Sequence, residues 1–116
     1  MNAFAASDRK VIASFETLSN SGITGQAALQ AMPQGTTLIH EAIRGLVPNT
    51  QYVSIAYQNG TCGTGSTSTV VAQFTANANG VANFTQQVDQ DLLAIQSVSI
   101  QLASDLSVQA CAAVTP

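Results

Sequence analysis

The sequence predicts an all-β sandwich or flattened barrel of eight antiparallel strands, and three observations carry that prediction. Extended runs bounded by Gly, Pro, Asn, Asp and Ser recur about every ten residues, the spacing of a sandwich or barrel. Apolar residues alternate with polar ones at period two, while helical periodicity is weak throughout. The length of 116 residues suits one continuous core, so residues 1–116 are expected to form a single domain.

The elements follow in order. Residues 10–18 make the first run, closed by Ser19-Asn20-Ser21-Gly22. The second, residues 23–31, puts Ile23, Gly25, Ala27 and Leu29 on the core face and Thr24, Gln26, Ala28 and Gln30 on the other. Pro33-Gln34-Gly35 turns the chain into residues 36–43, and residues 45–50 make a corner. In the fourth strand, residues 51–57, Val53, Ile55 and Tyr57 are expected to point inward and Tyr52, Ser54 and Ala56 outward. A Gly/Ser/Thr-rich loop spans residues 58–68. Residues 69–76 and 81–88 flank Asn77-Ala78-Asn79-Gly80, where Asn-Gly supplies the positive φ of a tight turn. A hairpin is predicted there, with Phe74 and Phe84 on its core face. Residues 89–95 read as a short helical turn capped by Asp89, and residues 98–103 and 106–114 complete the set across Ser104-Asp105.

Charge narrows the partners. Three basic residues stand against six acidic ones, for a net charge of -3. No basic cluster exists to neutralise a row of phosphates or to dock on anionic lipid, so nucleic acid is not an expected partner. No apolar run approaches the ~20 residues of a membrane-spanning helix, so membrane insertion is not expected either. The polar surface comes instead from Thr, Ser, Gln and Asn, a composition that favours an extracellular origin. Residues 1–7 lack the charged and apolar stretches of a signal peptide, so an exported form is expected to have lost its signal.

Cys62 and Cys111 are the whole thiol inventory, and neither sits in a zinc-type spacing. A disulfide is the natural reading, with two separately buried thiols as the alternative. An oxidised pair would place the protein outside the cytoplasm.

Several short motifs share an order that resembles the copper/zinc superoxide dismutase family and, more loosely, the chordin-type repeats. They are Ile23-Thr24-Gly25, Ile43-Arg44-Gly45-Leu46, Gly60-Thr61-Cys62, the stretch from Thr75 through Asn79-Gly80 to Ala82, and Ala110-Cys111. The resemblance spans nearly the whole chain. It implies an eight-stranded Greek-key sandwich, and it implies that Cys62 and Cys111 form the family's intrasubunit disulfide.

The catalytic part departs from that family. Its fourth strand carries a His-x-His pair on the outer face, because copper needs convergent imidazole nitrogens. The matching positions here are Ser54 and Ala56. The family's metal-binding aspartate is matched by Val70 and its anion-guiding arginine by Val108, so no metal and no cofactor are expected.

Other candidate chemistry is thin. His40, the single histidine, could join Glu41, Glu16 or an aspartate around a metal, but one imidazole makes a poor transition-metal site. It reads better as a surface or interface side chain. Asp89-Gln90-Asp91 falls short of the oxygen ligands that calcium requires. No nucleophile turn of the G-x-S-x-G type occurs. Asn59-Gly60-Thr61 and Asn83-Phe84-Thr85 match the N-glycosylation pattern, as chance would allow in a chain so rich in Asn and Thr.

The expected function is therefore a noncatalytic, secreted or cell-surface module that binds a cell-surface protein or assembles with copies of itself. The face of Tyr52, Ser54 and Ala56, freed by the loss of the metal loops, is the expected partner-binding surface. Two alternatives stand beside it. One is a metal-binding protein or dismutase-like enzyme using other ligands. The other is a small-ligand or carbohydrate binder using Tyr52 or Tyr57 and the Gln/Asn surface.

Overall fold

Alternation at period two folds the chain into two packed antiparallel sheets, because each strand buries one row of apolar side chains against the facing sheet. In a computed structural model, which describes residues 10–63 and 67–114, nine strands are β1 (Lys10–Ser14), β2 (Glu16–Thr17), β3 (Thr24–Met32), β4 (Thr36–Arg44), β5 (Gln51–Tyr57), β6 (Ser68–Thr75), β7 (Ala82–Val88), β8 (Ser97–Leu102) and β9 (Val108–Ala113). A four-stranded sheet has the order β1-β3-β4-β7, and a five-stranded sheet the order β2-β9-β8-β5-β6. The core between them holds Ala27, Leu29, Ile39, Ile43, Val98, Ile100, Ala110 and Ala112. The core face expected for the second run is the observed one: Ile23, Ala27 and Leu29 are buried.

Nine strands replace the expected eight because the first run does not stay in one sheet. β1 pairs with β3, whereas β2 pairs with β9 in the other sheet. The chain crosses at Phe15, whose side chain is buried and whose N–H donates to Gly25 O at 2.9 Å. A single strand thus closes one side of the sandwich.

The predicted Asn-Gly hairpin is overturned. β6 and β7 belong to different sheets and do not pair. Asn77 does close the turn, since its Oδ1 accepts from the backbone N–H groups of Asn79 and Val81. The turn is drawn instead onto the corner between β4 and β5. Leu46 N–H donates to Gly80 O, Asn49 N–H to Ala76 O, and Ala76 N–H to Thr50 O. With both crossings tied together, β6 zips onto β5 and β7 onto β4. The short helical turn also has a different cap. Leu92–Ala94 form one 3-10 turn whose cap is Asp91, accepting from Leu93 N–H, in place of Asp89.

Gly25 shows how closely the strands approach. Its φ is +145°, and a Cβ there would lie 2.2 Å from Ala42 O on β4. Gly25→Ala is expected to cost roughly 3 kcal/mol in urea unfolding, and Gly60→Ala, which meets nothing within 4 Å, less than about 0.5 kcal/mol. Equal losses at the two positions would contradict this packing.

Candidate functional site

Strand β5 is the element on which the site expectation rests, and its faces are the reverse of those expected. Tyr52, Ser54 and Ala56 point between the sheets and are 2%, 0% and 2% exposed. The Tyr52 hydroxyl accepts from Val47 N–H, in the corner between β4 and β5, at 3.0 Å. Its ring stacks on Phe74, which meets Phe84 across the seam between β6 and β7. Tyr52, Ser54 and Ala56 are therefore core residues, and the partner-binding face assigned to them does not exist. On this inner face Ser54 meets Glu41 of β4, and Tyr52 packs against Phe74.

Val53, Ile55 and Tyr57 occupy the outer face, alongside Ser97, Ser99 and Gln101 of β8. Most of this face is also closed to solvent. Tyr57 donates to Gln101 Oε1 at 2.8 Å, Ser99 donates to the same oxygen, and Gln101 Nε2 donates to Leu106 O at 2.8 Å. Ser97 Oγ donates to Asn59 O and accepts from Cys62 N–H. Cys62 is bonded to Cys111 across a sequence separation of 49, with Sγ–Sγ at 2.07 Å, so the disulfide pins this loop over the sheet. Asn59 is committed to the same loop, donating to Gly63 O and accepting from the N–H groups of Thr61 and Gly63. Neither tyrosine offers an exposed ring: Tyr57, like Tyr52, is buried.

The two outward β5 residues at alternate positions nearest the loop are Ile55 and Tyr57, so no imidazole stands on this face in either register. Among the described residues, no three of His, Cys, Asp and Glu come together as a metal-binding group. His40 lies exposed on the four-stranded sheet with Nδ1 2.7 Å from Thr85 Oγ1.

Glu41 is the group that sequence reading missed. Its side chain is fully buried between the sheets, where Oε2 accepts from Ser54 Oγ at 2.7 Å and Oε1 has no partner. Burial pushes its pKa up from 4.5 to about 8, against the smaller lowering by Ser54. Shifted carboxyls often mark active sites. Glu41, however, lines neither of the clefts beside Arg44 and Tyr52, so no substrate reaches it through them. The signal that could have found it is its place in the alternation Thr37, Ile39, Glu41, Ile43, all facing the core. By contrast, the exposed Asp105 carboxylate is held below its usual range by the backbone N–H and then the hydroxyl of Ser107.

A cleft of about 600 Å³ opens on the outer face of the four-stranded sheet, where β1 bends away toward β2. Ser14, Thr24, Gln26, Ala42, Arg44 and Asn83 line it, and none was singled out from sequence as a binding residue. Thr24 and Gln26 lie on the outward face that alternation predicts, and the convergence of all six on one cleft is visible only through the strand register.

No described helix is long and apolar enough to cross a membrane. The chain matches no protein-family model and no curated protein.

Proposed function

We propose that this domain is a noncatalytic extracellular module, a metal-free relative of copper/zinc superoxide dismutase, that assembles with copies of itself by pairing strand edges. The observation that carries it is β6. This edge strand, Ser-Thr-Val-Val-Ala-Gln-Phe-Thr, runs eight residues without a charge or a proline. Its free side pairs with no other strand among the described residues. Natural edges are commonly guarded by Lys, Pro, inward charge or a bulge; β6 has a bulge at Val71, where its pairing with β5 shifts by one residue, but no Lys, Pro or inward charge, so the segments on either side present backbone donors and acceptors to another chain. Val70, 56% exposed on this strand, adds an apolar contact. Because identical edges pair antiparallel about a two-fold axis, a second copy supplies the matching partner.

The strand order supports the Greek-key reading. The chain leaves β4 for β5 and β6 in the other sheet, then returns to lay β7 against β4. The disulfide is compatible with an extracellular location.

Sedimentation velocity across a concentration series tests the assembly. The protein is expected to shift reversibly toward dimer as concentration rises, and the double variant Val70→Lys, Gln73→Lys to remain monomeric. A monomer at every concentration, or an unchanged dimer in the variant, overturns the reading.

A further inference from the structure

We propose that the cleft around Arg44 binds a carboxylate carried on a hydroxyl-rich molecule, that is, a sugar acid. The strand register builds the cleft. Ser14, Gln26, Ala42 and Asn83 form one row across four strands, and the pair Thr24 and Arg44 occupies the neighbouring position of the same face. Ala42 contributes only a methyl group at the centre of the row, which leaves the hollow that larger side chains border.

Two other pairs of polar side chains on this sheet face bond to each other. Farther along the face, His40 bonds Thr85 at 2.7 Å and Gln87 bonds Thr36 at 2.8 Å. The side chains of Ser14, Thr24, Gln26, Arg44 and Asn83 have no hydrogen-bond or ion-pair partner among the described residues. Five converging polar groups are thus unused by the fold and face one volume.

Their chemistry specifies the ligand. A guanidinium presents a planar fork of donors that matches a carboxylate in two parallel bonds. Among the described residues no acid lines the cleft to compete for it, and no second cation lines it to balance the extra charge of a phosphate dianion. The carboxamides of Gln26 and Asn83 and the hydroxyls of Ser14 and Thr24 each both donate and accept, as vicinal hydroxyls require. The volume falls within the roughly 300 to 1,000 Å³ of small-molecule sites. A free sugar acid and an acidic unit within a polysaccharide share this chemistry.

Titration calorimetry with D-galacturonate, D-galactose, inorganic phosphate and a short oligogalacturonide tests the proposal on the whole chain. Galacturonate is expected to bind with millimolar affinity and at least about tenfold more tightly than galactose or phosphate. Arg44→Gln and Ala42→Phe, both at exposed positions, are each expected to weaken it by at least about tenfold while leaving the urea midpoint in place. Tighter binding of the oligomer identifies a polysaccharide unit as the source, and equal binding per site identifies the free acid. Absence of galacturonate binding, equal binding of galactose or phosphate, or binding unchanged in both variants overturns it. Self-association through β6 is read separately, by sedimentation.

Discussion

Stability toward urea is expected to fall by roughly 4 kcal/mol between pH 4.5 and pH 8, with Glu41 as the cause. The carboxyl ionises at its ordinary pKa of 4.5 when the chain is unfolded but at about 8 in the folded protein. Below pH 4.5 both states hold the proton and Glu41 imposes no pH-dependent cost. Across the window only the unfolded state releases it, so each unit of pH favours unfolding by about 1.4 kcal/mol. Above pH 8 both states are ionised and the loss stops growing. Asp105 acts in the opposite sense, but only as pH falls through and below its ordinary 3.8, beneath this window. Since small domains hold only ~5 to 15 kcal/mol in total, this one group decides how much margin remains in mildly alkaline solution.

Glu41→Gln isolates the effect. The amide keeps the shape and can still meet Ser54, but it cannot ionise, so the variant's stability should be nearly level over the window. At pH 4.5 the variant is expected to equal the parent or fall short by about 1 to 2 kcal/mol, since the amide leaves one more buried hydrogen without a partner than the carboxylic acid does. At pH 8 it should exceed the parent by several kcal/mol, on the same linkage argument. Parallel pH profiles for the two proteins would show that the carboxyl is not buried as described.

Loss of the Cys62–Cys111 bond is expected to cost about 4 kcal/mol, the loop-closure entropy of a 49-residue separation. The bond also holds the loop that caps Ser97, so reduction frees Cys62 N–H and Asn59 O from that hydroxyl. Urea midpoints for the oxidised protein, the reduced protein and the Cys62→Ala, Cys111→Ala variant measure this. The last two are expected to agree with each other and to lie well below the first. An unchanged midpoint would mean that the fold does not depend on the bridge. At pH 8 the reduced protein carries both penalties, which together approach the whole stability of a domain this size. An extracellular, oxidising location removes one of them.

The two predictions rest on features that differ in legibility. The cysteines are legible as a bridged pair from their number and spacing, a reading the family resemblance strengthens, and the structure joins them. Glu41 is legible as a strand residue, and it is burial that shows its row, with Ile39 and Ile43, facing the core. Strand β5 differs from β3. Its two faces, Val53/Ile55/Tyr57 and Tyr52/Ser54/Ala56, are both compatible with burial, and both are largely buried, one beneath the other sheet and one beneath a loop. Alternation shows that the faces differ. It does not say which neighbour covers each.

Local chemistry alone determined the strand class, the positions of the turns, the core row of β3 and the absence of an imidazole pair on β5. These depend on period-two patterning and residue type, which act over a few neighbours. Tertiary structure decided the crossing at Phe15, the parting of β6 from β7, the inward turn of Tyr52, and the convergence of Ser14, Gln26, Asn83 and Arg44 on one cleft. Each of those is set by hydrogen bonds and packing between segments distant in the chain, and strand pairing of that kind leaves no mark on the local pattern of either partner.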